Sequence, residues 1–330
     1  MTVKLITGGL VTLAGIGALA MTAQAQPADT SNYAGDTVRI ENFIGRVEVR
    51  TGGSGIQVEV QNPGDAADDP TWSPAGSGVA IDGGQRVRNL NCRTRDDEVF
   101  IGRWRNSRSI NEYPVLIITA PDTVNFSIDD SAFVGTAGDL GAMDLSMNSC
   151  GHFSAGEVAG DARIRINGSG DIDLDGIGGN AVLNVNGSGD IEAGDIAGDA
   201  TIDINGSGDI EAGDVGGETE IDINGSGDVE LGRLAGLDID ISGSGDVEAA
   251  AVNGGFRTSI SGSGDVLVRG GRAEPFEAYI NGSGDIAFRG TAVNVTVRES
   301  GGGDVDIREV EGNIDWRRNG RSILRVGSTD

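Results

Sequence analysis

The heptapeptide INGSGDI at Ile166–Ile172 returns along the chain with small changes. Its aspartate falls at Asp171, Asp190, Asp209, Asp228, Asp246, Asp265, Asp285 and Asp304, with spacings of 19, 19, 19, 18, 19, 20 and 19. A period held this closely over eight copies predicts a solenoid, in which each unit stacks on its neighbours because it cannot bury its apolar face alone. The stretch from Asp199, DATIDINGSGDIEAGDVGG, shows the form of one unit. An alternating strand leads to a Gly-Ser-Gly corner, then to a second short alternating strand and a closing turn. No helical period occurs in it.

In the first strand Ala200, Ile202 and Ile204 share one face and Thr201 and Asp203 the other, as do Ala181, Leu183 and Val185 one unit earlier. Ile172, Leu174, Ile210, Val229 and Leu231 mark the second strand. Two or three walls per coil therefore share a thin apolar core. The expected fold is all-β: a single-stranded, right-handed β-helix of about 19 residues per coil, its coils roughly 4.8 Å apart. Sandwiches and propellers need longer units of several antiparallel strands and fit the period less well.

Residues 1–25 carry Lys4, an apolar run and Ala23-Gln24-Ala25, the three-part pattern of a secretory signal. This predicts export from a bacterial cell to the periplasm, the cell surface or the medium. Residues 26–35 read as a short linker, and 36–330 as the β-helix domain. Within that domain, residues 161–304 hold the GSGD coils, and Asn148–Phe153 and Asp129–Phe133 align one and two periods above them as degenerate coils. VRIENFIGRVEV at Val38–Val49 extends the alternation further back. Residues 61–112 contain Pro63, Pro70 and Pro74, break the period and read as an insert. Residues 313–326 read as a hairpin around Asn319-Gly320, an arginine-bearing cap with Trp316 that blunts the last edge.

Without the signal the chain loses Lys4, leaving 23 basic residues (24 − 1) against 51 acids, a formal charge of −28. Such a charge disfavours nucleic acid and anionic lipid as partners. No later segment approaches the roughly 18 apolar residues of a membrane helix. In an exported chain the two cysteines, Cys92 in the insert and Cys150 at a Ser slot, predict a disulfide pinning the insert to the rod. Two buried thiols are the alternative.

Stacked carboxylates about 4.8 Å apart repel by roughly 0.9 kcal/mol in water and about 3.5 kcal/mol at an effective dielectric of 20, so the aspartate column needs compensation. One source is local: an Asp after Gly-Ser-Gly accepts hydrogen bonds from backbone N–H groups at the corner. The other is calcium, which takes six to eight oxygens. The frame disfavours it, because Asp190 follows Gly189 directly, whereas the calcium nonapeptide places its Asp two residues after the last Gly. No cofactor is expected. The column at Asn167, Asn186, Asn205 and Asn224 is expected to form amide ladders. His152, the sole histidine, occupies the Asp slot above Asp171 and reads as a proton-accepting partner of the column or as a plain surface residue.

One histidine and no lysine after the signal leave little material for nucleophilic or metal-dependent catalysis. The Ser of GSGD recurs seven times, whereas a nucleophile would occur once. Carboxylate pairs are everywhere and single out none as a glycosidase acid pair. The insert forms a candidate ligand patch, with Arg86, Arg88, Arg103 and Arg105 around Trp104, suited to an anion or acidic glycan; the alternative is a solvated insert whose arginines pair with the acidic rod.

ISGSGDV at Ile241–Val247 and INGSGDI at Ile280–Ile286, recurring at this period behind a signal, resemble the GIN-domain family of auto-transporter adhesin heads. The resemblance covers about Asp129–Asp304 well and the amino-terminal coils weakly. It implies an exported β-helical domain with adhesion as its proposed role, and transfers no functional residues. The expected departure is the lack of a barrel after the repeats. The sequence thus reads as a non-enzymatic exported rod presenting an extended acidic surface for adhesion or cell-envelope binding, its ligand a glycan or protein. The rival is a polysaccharide-binding or polysaccharide-cleaving β-helix, and a third class is a self-assembling structural rod.

Overall fold

The structure, a computed structural model, describes residues 31–87, 90–95, 98–103, 105–321 and 323–327. Sequence alternation becomes stacked parallel strands. Ala181, Leu183 and Val185 lie in register with Ala200, Ile202 and Ile204, and these with Thr219, Ile221 and Ile223. Ile191, Ile210 and Val229 stack in the second wall. A third wall is no wider than single bridges in the middle coils, Ile177 on Ile196 and Ile196 on Val215, and widens further on, where Val252, Asn253 and Gly254 pair with Gly271, Arg272 and Ala273. The coil is therefore a triangle of unequal sides whose buried Ile, Leu, Val and Ala form one continuous core. Full burial of each Ile, Leu or Val contributes roughly 1.5–3 kcal/mol.

Phenylalanines thicken that core at two levels. Phe126 stacks on Phe153 at 5.9 Å and Phe133 meets Phe153 edge-on at 5.7 Å. Phe256, Phe276 and Phe288 form the second group, with centroids 4.9–5.8 Å apart. Between them the core is aliphatic.

Near the amino terminus the coils leave sequence order. The coil of strands Thr37–Glu41 and Ile44–Thr51 rests on strand Asn125–Ala137 below it. Above it lies a coil assembled from two distant strands, Gly78–Asp82 and Val115–Ala120. This corrects the expected extent of the insert: GVAID at 78–82 carries Val79 and Ile81 into the core, so the excursion divides into a loop at 62–70 and a longer departure between Asp82 and Val115, at one expanded corner. The top is closed by antiparallel strands. Ile56–Gln61 pairs with Val115–Ala120, Ser31–Tyr33 with Ile56–Gln61, and Thr71–Ala75, which contains Pro74, with Gly78–Asp82.

The other end differs from expectation more sharply. Residues 313–326 do not form a hairpin: Val305–Arg318 runs parallel to Ile286–Glu299, and Leu324–Val326 lies parallel on Val305–Ile307. Asn319-Gly320 occupies the Asn-Gly slot of the repeat corner, where a Cβ on Gly320 would stand 2.1 Å from the Gly301 carbonyl oxygen. The dipeptide that favours a tight turn serves here as the corner of one more coil.

Candidate functional site: corner ladders, acidic wall and insert

The corner is built by close approach. A Cβ on Gly187 (φ +152°) would lie 2.0 Å from the Gly168 carbonyl oxygen, and one on Gly189 2.0 Å from that of Gly170. Only glycine fits either slot. The serine between them faces solvent, and Ser244 and Ser263 hydroxyls meet at 3.2 Å along the rod.

The aspartate that follows supplies an acceptor to the next coil. Asp209 N donates to Asp190 Oδ1 at 2.8 Å, and the same bond recurs from Asp190 to Asp171 at 3.3 Å and onward to Asp304 at 2.7–2.8 Å. The last link is Ile323 N to Asp304 Oδ1 at 2.9 Å. Asp171, which follows His152, instead donates its N–H to the Gly151 carbonyl at 3.0 Å. The donor is thus the N–H one coil on, where the sequence pointed to the Asp's own corner. A charge-assisted bond of this kind offsets repulsion from the neighbouring carboxylate.

The other two corners use the same device, unforeseen from the sequence. Asn180, Asp199 and Glu218 each donate a backbone N–H to the side chain one coil earlier, on Asp161, Asn180 and Asp199, at 2.8–2.9 Å. Asp214 and Arg233 do so to Asp195 and Asp214 at 2.8 Å. The signal was a second acidic residue after Gly at fixed offsets, as in Gly194-Asp195 and Gly213-Asp214. Side-chain amides also stack, from Asn167 to Asn148 at 2.8 Å and from Asn186 to Asn167 at 3.2 Å.

The second wall carries two acidic columns. Asp173, Glu192, Glu211, Glu230 and Glu248 stack in register two residues beyond the motif aspartates, with side chains on the same outer face. Among the described residues no ion pair engages Asp190, Glu192, Asp209, Glu211, Asp228 or Glu230, which line shallow grooves along the wall. At the ends the charge is balanced by Arg269 on Glu248 and by Arg325 on Asp304 at 2.9 Å. Burial holds the Asp171 carboxyl above its ordinary range, against the Asp190 N–H that draws it down. On the first wall burial also raises Asp222, helped by Asp203 and Asp240, and raises Asp238 against the pull of Arg257. Among the described residues no group of three or more His, Cys, Asp or Glu is arranged to hold a metal ion.

Cys92 and Cys150 form a disulfide, with Cα atoms 5.7 Å apart. The insert it pins carries a three-stranded antiparallel sheet of Cys92–Arg95, Glu98–Ile101 and Arg108–Ser109. Val87, Val99, Ile101, Ile110 and Tyr113 pack over Ile44, Ala132 and Cys150 as a second small core. Those three residues stand in the slot that Ser169 and its successors fill further down the rod. Of the candidate ligand patch, Arg103 and Arg105 are exposed on the turn after Ile101 and Arg86 is exposed on the approach to the sheet, while Arg88 and Trp104 lie outside the described residues. Arg108 pairs with Glu112 of the same excursion and with Asp65 of the loop at 62–70, not with the rod's acidic column. Arg93 donates to Ser107 Oγ at 2.7 Å and lies over the Phe100 ring. His152 sits at the seam between insert and column, with Nε2 3.5 Å from Asp173 Oδ2.

Stacked 19-residue coils with glycine corners and acidic ladders define the molecule as a β-solenoid whose outer faces carry the same side chains coil after coil. The chain belongs to the family described as "Putative auto-transporter adhesin, head GIN domain", whose pattern matches residues 75–232, 197–252 and 238–329. A crystal structure of a putative adhesin from Bacteroides fragilis is similar at 16% identity, over 74% of this chain and 97% of that one, with a TM-score of 0.30. No curated protein sequence matches the chain.

Proposed function

We propose that the protein is an exported, non-enzymatic adhesion rod whose ligand lies against the acidic second wall. The observation that carries this reading is the double column from Asp190 to Glu230, six carboxylates in register with no arginine among their ion-pair partners in the described residues. Carboxylates left unneutralised in rows attract a partner with matching positive charge and accelerate its encounter. A basic protein surface of the cell envelope or its surroundings has that chemistry. Family membership supports adhesion, and the signal-like segment at 1–25 supports export. Immobilised full-length protein should retain basic envelope proteins at low salt and release them as ionic strength rises. The Glu192→Gln, Glu211→Gln, Glu230→Gln variant should lose most of that retention; unchanged retention would refute the wall as the binding face. Protease treatment of intact cells places the protein inside or outside the envelope.

A second reading rests on Arg103 and Arg105, which one exposed turn presents. It assigns them to an acidic glycan. Retention of such a glycan should fall in Arg103→Ala, Arg105→Ala, and glycan cleavage should be absent.

A further inference from the structure

The two ends of the rod are finished differently. At the amino-terminal end, antiparallel strands and Pro74 close the edge. At the other, strand Val305–Arg318 pairs on one side only beyond Glu309 among the described residues. Residues 311–321 are all exposed, and Ile314, Trp316, Ile323 and Val326 are 37–47% accessible. Ile314 and Trp316 stand in register with the buried Val295 and Val297, so the end displays what is core in every other coil. Trp316 is held in place: its indole N–H donates to Oε2 of the buried Glu299 at 3.1 Å.

We infer that this end is a dimer interface and that its occupant is a second copy of the same end. The backbone direction sets the geometry. Asn319 N donates back to the Glu299 carbonyl at 2.8 Å, so by alternation the N–H and C=O of Ile314, Trp316 and Arg318 face away from the rod. A second copy added antiparallel about a two-fold axis through Trp316 bonds Trp316 to its own equivalent and brings Ile314 opposite Arg318 of the second copy. In that register Asp315 falls opposite Arg317 of the second copy, twice, on the solvent face. Within one chain Asp315 already binds Arg298 at 2.5 Å and lies 3.5 Å from Arg317, so the pairing extends an existing cluster.

Charge favours the same occupant. Residues 305–327 carry five arginines and four acids, whereas the chain without its first 25 residues stands at −28 (23 − 51). Joining these ends brings together near-neutral coils and points the acidic walls apart. The contact is isologous and closes at two copies, and the capped opposite end blocks growth into a filament.

Sedimentation of the full exported chain from about 1 to 100 μM should show a monomer–dimer equilibrium. Asp315→Arg and Arg317→Asp should each weaken the dimer by at least about tenfold, because like charges then face across the two-fold axis. The double variant Asp315→Arg, Arg317→Asp should restore it. Circular dichroism checks folding; if Asp315→Arg does not fold because Arg298 loses its partner, Arg317→Asp and Trp316→Ala carry the test, and each should weaken the dimer. A monomer at every concentration overturns the inference, because something other than a second copy then covers the end. So does a dimer indifferent to the substitutions.

Discussion

At one slot of the corner, Ile44, Ala132 and Cys150 lie under the insert, while Ser169, Ser188 and Ser207, one to three coils beyond, face water. The backbone path is the same in both regions, and the side chain records whether something covers it. The covered region is held by apolar contact and a disulfide, the bare region by glycine fit and ladders from carboxylate to N–H. Covered coils tolerate disorder in sequence, so that a strand pair from 78–82 and 115–120 can sit above 37–51. Bare coils cannot, because each acidic side chain serves the coil that follows.

The largest effect that tests this contrast is expected from Ile202→Ala in the bare region. A side chain with 0% exposure in a narrow core should cost about 3–4 kcal/mol in urea unfolding. Next is the Cys92→Ala, Cys150→Ala pair. Opening a crosslink that spans 58 residues should cost roughly 2–4 kcal/mol. Amide exchange should rise in the insert and stay unchanged from 181 to 280; faster exchange there as well would show the two regions to be one cooperative unit. A smaller change separates charge from acceptor. Asp209→Ala leaves the Asp228 N–H unpaired and should cost about 1–3 kcal/mol, whereas Asp209→Asn keeps an acceptor and should be nearly neutral. Equal losses in the two variants would show that the carboxylate's charge, not its acceptor oxygen, is what the ladder needs.

The smallest effect is on pH. Asp171, Asp222 and Asp238 have folded pKa values raised by burial above the ordinary 3.8. The folded state therefore binds protons more readily than the unfolded, and the resulting stability is present in full below 3.8 and lost as pH rises through the raised values. The melting temperature should rise modestly on going from about pH 7 toward about pH 4.5. Asp65 and Asp315, lowered by their arginines, work the other way, but they are exposed and screened by salt. A melting temperature that falls across that interval would place the controlling carboxylates in ion pairs instead.

The solenoid was legible because a 19-residue period in Gly-Ser-Gly-Asp leaves few ways to stack, and the disulfide because a chain with a signal-like start held two cysteines. Whether a third wall exists was left open, since Ile196 and Val215 are single apolar residues following a Gly-Asp turn and make no visible alternation. The insert's boundaries were misjudged because GVAID is short and lies behind three prolines. The order of the first coils could not be read at all: strands 37–41 and 125–129 carry the same alternation, and alternation says which face is inward but not which neighbour is adjacent. Asn319-Gly320 misled because one dipeptide suits both a two-residue turn and a stacked corner. In the candidate site the motif aspartates were legible as a column, but their donors were not, since the partner N–H lies 18 to 20 residues away.

A carboxylate that serves the following coil makes the rod polar in the manner of a zip: every unit offers an acceptor forward and takes one from behind. Duplicating a unit in the middle leaves nothing unmatched, and deleting one rejoins the same parts. Length can therefore change by whole units over evolutionary time, about 4.8 Å of reach at a step, with no redesign of either terminus.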